Sequence, residues 1–207
     1  MGGLNLQMGA RNGAKQPRQN EDFYATSPRA VELFLDALKR DNVSLNSNLW
    51  ECACGQGHIS KVLIENGFSV FSSDLVNRGF SDIVFDFLND ECHFDLTKTD
   101  IITNPPYKKA REFVLKGLEL LKEGNRLIMF LKIRFLEGER RFKTIFQNSP
   151  PRFVYVHVTR QSCAMDGDFE EYCKTSGSEC YCWFIWEKGI KSEPVLRWID
   201  ENKKEKK

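Results

Sequence analysis

Residues 100–107, with the sequence Asp-Ile-Ile-Thr-Asn-Pro-Pro-Tyr, bring together several groups that could bind a ligand. Ile101 to Thr103 is typical of a short buried strand. The two prolines after Asn104 fix φ and remove two backbone donors, so the strand ends there. A carboxamide, two free carbonyls and an aromatic ring are therefore expected at the carboxyl end of a strand, where open parallel α/β sheets bind ligands. A Pro-Pro turn capped by Asn would explain the same residues.

A second stretch, residues 49–58, has the pattern of a strand that turns through Gly55 and Gly57 into a helix ending near Gly67. Glycines let the backbone approach a ligand closely, and a helix N-terminus favours negative groups. The next strand, 68–74, ends on Asp74, 19 positions after Gly55. Nucleotide-binding α/β folds place a carboxylate on ribose hydroxyls at this spacing. Up to this point the chain could equally bind a nicotinamide dinucleotide, or have an ordinary strand–helix turn.

The remaining pattern predicts strands that alternate with helices. An amphipathic helix is expected from Pro28, with Ser27 as its N-cap, to about Arg40. Further helices are predicted at 109–121 and 135–146, and further strands at 83–88, 126–133, 153–158 and 181–186. The polar loop at 160–179 is long enough to suggest a lid or a substrate contact.

The length and composition fit one soluble domain. The chain has 207 residues, of which 41% are hydrophobic and 29% charged, and no apolar run approaches the roughly 18 residues that span a bilayer. Residues 1–20 lack the apolar core of a signal peptide. We therefore expect a cytoplasmic protein with a disordered or basic arm at 1–21, one domain at 22–190 and a charged tail at 191–207.

The net charge of +1 neither favours nor excludes a nucleic-acid partner, because only the distribution of charge matters for such a partner. Seven cysteines, an odd number without a secretion signal, predict free thiols. Four of them cluster near the end of the chain, but none forms a Cys-x-x-Cys pair, so no metal site is predicted.

The order and spacing of these motifs resemble the amino-group methyltransferases that use S-adenosylmethionine. The similarity covers about residues 22–188 and is greatest to small DNA adenine N6-methyltransferases of bacteriophages and mobile elements. Its most specific part is residues 104–107, Asn-Pro-Pro-Tyr. The resemblance implies a doubly wound, Rossmann-like α/β sheet of seven strands with the last strand antiparallel. It also implies a location in a bacterial or phage-infected cell.

The resemblance also implies roles for individual residues. Asn104, Pro105, Pro106 and Tyr107 would hold the target amine, with the Asn104 and Pro105 carbonyls accepting its hydrogens and Tyr107 stacking on a flipped base. S-adenosylmethionine would be bound by Phe23, Thr26, Pro28, Glu51, Ala53, Gly55, Gly57, Asp74, Asp86 and Phe87. Cys52 and Cys54 stand where the family often has Pro or other small residues, so the resemblance does not assign contacts in that loop.

The implied partner is DNA, with RNA possible, bound by a monomer or weak dimer that does not enter a membrane. Candidate nucleic-acid contacts are Lys108, Lys109, Arg134, Phe135, Arg140 and Arg141. Adenine in RNA or a glutamine amide in protein remains open as the substrate, because the same motif acts on both. A nicotinamide-dependent oxidoreductase would leave residues 104–107 unexplained, and a catalytically silent fold would be free to lose them.

Overall fold

The computed structural model describes residues 24–161, the backbone of 163–165, and residues 179–201. The predicted arm at 1–21, Phe23 and most of the 160–179 loop lie outside the described residues. Strands are β1 (Tyr24–Thr26), β2 (Asn48–Glu51), β3 (Ser69–Asp74), β4 (Ile83–Val84), β5 (Thr99–Thr103), β6 (Arg126–Lys132), β7 (Phe153–His157), β8 (Cys163–Met165), β9 (Tyr181–Glu187) and β10 (Val195–Ile199). Helices are α1 (Pro28–Arg40), α2 (His58–Glu65), α3 (Ala110–Leu120) and the single turn α4 (Glu139–Arg141).

Eight strands form one sheet in the order β10-β7-β9-β6-β5-β2-β3-β4. β9 runs antiparallel to both of its neighbours, β6 and β7, whereas the other pairings are parallel. The order reverses at β2, which lies between β3 and β5, so ligands are expected at the carboxyl ends of these strands. The predicted doubly wound α/β fold with a late antiparallel strand is confirmed.

Helices cover both faces of the sheet. Apolar residues of α1 and α2 pack on one face, where the Phe34 and Trp183 rings stack with centroids 4.5 Å apart. α3 packs on the other face through Phe113 and Val114. Trp50 lies in the second core and donates from Nε1 to Ser73 Oγ over 2.9 Å, which fixes β2 against β3. The two cores therefore lie on opposite faces of the sheet.

Two predictions near the C-terminal end were wrong. The sheet has eight strands instead of seven, because β10 pairs parallel with β7 over five residues. Residues 195–199 therefore do not belong to a tail, and Ile199 is buried with the α1 face of the sheet. β1 and β8 were also missed, and they form a separate antiparallel two-stranded ribbon.

Two predicted elements are shorter or broken. The strand expected at 83–88 ends at Val84, because the Asp86 carboxylate accepts from the backbone nitrogens of Leu88 and Asn89 and closes a turn. The helix expected at 135–146 is divided into a 3₁₀ turn at 133–136, α4 and a π turn at 142–146. Gly138 separates the first two with φ of +113°, which a continuous helix cannot contain.

Candidate active site

A cavity of about 320 Å³ opens at the carboxyl ends of β2, β3 and β5. Its volume is within the range of small-molecule sites, roughly 300–1,000 Å³. The residues that line it are Tyr24, Ala25, Thr26, Glu51, Cys52, Ala53, Cys54, His58, Ile59, Asp74, Leu75, Val76, Arg78, Phe85, Asp86, Phe87, Leu88, Asn89, Asn104, Pro105, Pro106, Tyr107, Lys109 and Phe113.

Asn104 follows the last residue of β5 and is held by β1. Its Nδ2 donates to the Tyr24 carbonyl over 2.9 Å and to Thr26 Oγ1 over 3.0 Å. Both hydrogens of the carboxamide nitrogen are thereby used. The remaining polar atom of this side chain, Oδ1, is an acceptor.

The Tyr107 ring is half-buried at the beginning of a 3₁₀ turn. Its centroid is 6.1 Å from the Tyr24 ring and 5.8 Å from the Tyr181 ring, at interplanar angles of 27° and 33°. Lys132 Nζ lies 5.2 Å from the same centroid and forms an ion pair with Glu179 at 3.0 Å. The ring is therefore packed among aromatic and cationic side chains that the sequence did not predict as its neighbours.

Glu51 ends β2 and is 1% exposed. Its Oε2 accepts from the Ser60 nitrogen over 2.9 Å and from the Ser60 hydroxyl, whose oxygen also contacts Ser72 Oγ at 2.8 Å. Burial raises the pKa of the Glu51 carboxyl to about 8, although the Ser60 hydrogen bonds lower it. A ligand cation beside this carboxyl group would therefore stabilise its ionised form, because the cation would replace the hydration that is lost on burial.

Asp74 closes the turn between β2 and α2. Its Oδ2 accepts from the Gly55 nitrogen over 2.7 Å, and its Oδ1 accepts from the Val76 nitrogen at 3.0 Å and from Arg78 at 3.1 Å. The carboxylate is 8% exposed and lines the cavity. Because a carboxylate has about four acceptor positions, it can still receive a hydroxyl.

The Gly57 backbone has φ of +77°, and a Cβ atom there would lie 2.3 Å from the Phe80 ring. Gly55 has φ of +56°. These two glycines do not line the cavity themselves, but they form the tight turn that carries Asp74 and Glu51 to its edge.

The adenine-binding pair expected at 86–87 differs in its two members. Phe87 is 2% exposed, stacks on Phe113 at a centroid distance of 5.0 Å and contacts the Trp50 edge. The Asp86 carboxylate is used by the local turn, where it accepts from Leu88, from the Asn89 backbone and from Asn89 Nδ2. Desolvation raises the pKa of Asp86, but these donors together outweigh it, so the pKa is lowered.

The structure brings most predicted site residues together. Thr26, Glu51, Ala53, Asp74, Asp86, Phe87, Lys109 and the four residues 104–107 line one cavity. Pro28 does not line it and instead occupies the first turn of α1. The aromatic neighbours Tyr24 and Phe113 were missed as site residues, because each comes from an element distant in sequence from the motif that it contacts.

The predicted nucleic-acid contacts beyond residue 130 do not line the cavity. They are Arg134, Phe135, Arg140 and Arg141. Phe135 is 7% exposed and packs against Phe146 and Phe184 in the core, so its predicted substrate contact is not supported. Arg141 donates to the carbonyls of Arg134 and Glu137, which makes it part of the local turn. Arg134, Arg140 and Lys108 are exposed.

No protein-family model matches the chain, and no curated protein matches its sequence. Three solved structures have the same fold. A candidate RNA methyltransferase from Pyrococcus horikoshii is 16% identical with a TM-score of 0.60, over 85% of this chain and 92% of its own. A methyltransferase subunit of a type I restriction-modification system from Streptococcus thermophilus is 16% identical with a TM-score of 0.57, over 88% of this chain. A candidate hemolysin from Lactococcus lactis is 12% identical with a TM-score of 0.55, over 82% of this chain and 92% of its own.

These similarities establish the α/β fold of the methyltransferase structures. The chain spans 48% of the length of the restriction-modification subunit, and the three proteins carry different descriptions, so their activities do not transfer with the fold. No helix in the described ranges is long and apolar enough to cross a membrane. Within those same ranges, no group of three His, Cys, Asp or Glu side chains could hold a metal ion.

Proposed function

We propose that this protein transfers a methyl group from S-adenosylmethionine to the N6 amino group of adenine in DNA. The observation that carries the proposal is the Asn104 carboxamide. It lies at the carboxyl end of β5 and lines the cavity, with both hydrogens of Nδ2 bound to β1. Its oxygen is the group that can accept a hydrogen bond from an exocyclic amine.

The residues of the cavity fit the proposed cofactor. Its charged ammonium would offset the burial of Glu51, whose carboxyl now has its pKa raised to about 8. Asp74 has acceptor capacity left for ribose hydroxyls, and Phe87 presents an apolar ring suited to the adenine. Ala53 also lines the cavity. When bound, the cofactor would supply an electrophilic methyl group on its sulfonium.

The chain's own residues would activate the amine by accepting its hydrogens. An adenine amino nitrogen is a weak nucleophile, because its lone pair is delocalised into the ring. Hydrogen bonds to the Asn104 Oδ1 and to the Pro105 carbonyl would favour tetrahedral geometry and stabilise the positive charge that develops on nitrogen. No strong base is needed, because the methylated nitrogen loses its proton readily. The rest of the acceleration would come from in-line positioning.

A base within a duplex cannot reach this cavity, so the target must flip out of the stack. Tyr107 is the proposed stacking ring, and it would have to exchange contacts with Tyr24 or Tyr181 for contacts with the base. Lys109 lines the cavity, and Lys108 is exposed beside it. Phosphate contacts from these lysines would make binding weaker at high salt.

Adenine in RNA is the second candidate. The observation that favours it is the share of each similar structure that this chain covers. The chain covers 92% of the candidate RNA methyltransferase from P. horikoshii but only 48% of the restriction-modification subunit. Glutamine amides in proteins are a further substrate for the same acceptors.

The test is transfer of labelled methyl from S-adenosylmethionine to unmethylated duplex DNA, with RNA and a protein extract in parallel and nucleoside analysis of the products. Label in N6-methyladenine of DNA is the expected result. Label found only in RNA or protein would overturn the DNA substrate, and no label anywhere, with cofactor bound, would overturn the proposed activity for the isolated chain.

A further inference from the structure

We propose that Thr26 is a positioning residue whose hydroxyl holds the Asn104 carboxamide with its oxygen toward the substrate amine. The kinetic part of this inference rests on the proposed function. Thr26 Oγ1 accepts from Asn104 Nδ2 over 3.0 Å, and the Tyr24 carbonyl accepts from the same nitrogen over 2.9 Å. Thr26 is 2% exposed, so water competes little for these bonds.

The orientation matters because a carboxamide has nearly the same shape after a half-turn. A half-turn of the Asn104 side chain would present NH₂ instead of oxygen to an amine that can only donate in this contact. The Tyr24 carbonyl disfavours that state, because it would face the amide oxygen. The Thr26 hydroxyl accepts the second hydrogen bond from Asn104 Nδ2 and so restricts the rotation of the Asn104 side chain.

β1 is itself held in place by pairing with another part of the chain. Tyr24, Ala25 and Thr26 pair antiparallel with Met165, Ala164 and Cys163 of β8. The Tyr24 ring also lies against Tyr107, at 6.1 Å between centroids. One strand of three residues therefore contacts both Asn104 and Tyr107 of the Asn-Pro-Pro-Tyr motif.

This role differs from the cofactor contact that the sequence predicts for Thr26, and kinetics separates the two. Thr26→Val keeps the shape of the side chain and removes its acceptor. We expect kcat to fall about tenfold, with the KM for S-adenosylmethionine within about twofold of the unaltered protein. Thr26→Ser restores the hydroxyl and is expected to recover kcat. A rise in the KM for S-adenosylmethionine at unchanged kcat would overturn the proposal in favour of a cofactor contact.

Thr103 offers a matched control one residue before Asn104. It is fully buried, and its hydroxyl, near the Cys52 thiol, makes no hydrogen bond to nitrogen or oxygen. Thr103→Val is therefore the same chemical change at a residue that does not hydrogen-bond to Asn104. It should leave kcat within about twofold of the unaltered protein. An equal loss of kcat in both valine variants would point to packing and overturn the assignment.

A second measurement is independent of activity. The side-chain amide protons of Asn104, assigned by their disappearance in Asn104→Asp, report the hydrogen bonds directly by NMR. We expect slow solvent exchange in the unaltered protein and in Thr26→Ser, and faster exchange with a changed shift in Thr26→Val. An unchanged amide in Thr26→Val would overturn the inference. If no substrate is methylated, the proposed function fails while this amide measurement still decides on the anchor.

Discussion

Glu51 Oε2 and the backbone nitrogen of Ser60 are 2.9 Å apart, a hydrogen bond that ties the end of β2 to the first turns of α2. The bond spans the turn that contains Gly55 and Gly57, so the acid and the glycines form one unit of structure. It leaves a buried carboxyl whose ionisation depends on what else enters the cavity.

Stability is expected to decrease as the pH rises through the neutral range. Burial raises the pKa of Glu51 from 4.5 to about 8, so between these values the folded protein holds a proton that the unfolded chain has lost. The free energy of unfolding is therefore highest below about pH 4.5 with respect to this group, and its contribution is lost as the pH approaches 8. At about 1.36 kcal/mol per pKa unit, the full change is roughly 4–5 kcal/mol.

Glu51→Gln should remove this slope, because glutamine does not titrate. Urea unfolding at pH 5, 6.5 and 8 would measure the pH dependence of the free energy of unfolding in both proteins. Equal slopes in the two proteins would show that another group causes the dependence. Both proteins retain buried His157, whose pKa is lowered by burial from 6.5 to about 4. Its titration makes the fold more stable as the pH rises between these values, and this opposite contribution cancels when the two proteins are compared.

Gly57→Ala is expected to destabilise the fold and to weaken cofactor binding. The backbone there has φ of +77°, and the new Cβ would overlap the Phe80 ring. Gly67 is the matched control, because its φ is +87° and nothing lies within 4 Å of a Cβ atom. Both variants pay about 1–2 kcal/mol for the left-handed backbone, so the excess loss in Gly57→Ala measures the clash. Thermal unfolding and calorimetric titration with S-adenosylmethionine would reveal it, and equal losses would exclude the clash.

Asn104→Ala should lower kcat at least about a hundredfold, the usual cost of removing one preorganised group that stabilises developing charge. The dissociation constant for S-adenosylmethionine should change less than about twofold. Asn66→Ala serves as a control, since its amide only donates to the Val62 carbonyl at the end of α2. Loss of cofactor binding in Asn104→Ala would contradict the assigned role.

Tyr107→Ala should raise the KM for nucleic acid about tenfold or more, because base–aromatic stacking is worth about 1–3 kcal/mol per base. Tyr107→Phe keeps the ring and is expected to behave like the unaltered protein. Measurements at two salt concentrations would separate stacking from phosphate contacts. Unchanged turnover in Tyr107→Ala would assign the stack to a neighbouring ring, of which Tyr24 and Tyr181 are the nearest described.

The elements that carry local signals were predictable. α1 extends from Pro28 to Arg40 as expected, because the proline suits the first turn and the apolar positions repeat with helical spacing. Residues 104–107 were correctly predicted to follow a buried strand, since the prolines stop any continuation of β5. The same applies to the turn through Gly55 and Gly57, where positive φ values leave little choice of residue.

The missed features depend on contacts between distant parts of the chain. The hydrogen bond from Asn104 to the Tyr24 carbonyl joins residues 80 positions apart, and no periodic pattern in the sequence predicts it. β10 was taken for a tail because charged residues surround it, and only its pairing with β7 shows that Ile199 is buried. Asp86 lines the cavity, but its hydrogen bonds from the backbone nitrogens of Leu88 and Asn89, which close a local turn, were not predicted.

The ribbon of β1 and β8 also bears on the order of events during folding. Thr26 pairs with Cys163, 137 positions further along the chain, and the ribbon contains only three residue pairs. So short a pairing cannot offset the entropy of closing so long a loop until the large sheet has already brought the two ends together. On refolding, burial of Trp50 and Trp183 should therefore recover first, and the amide of Asn104 should become anchored only in the final phase.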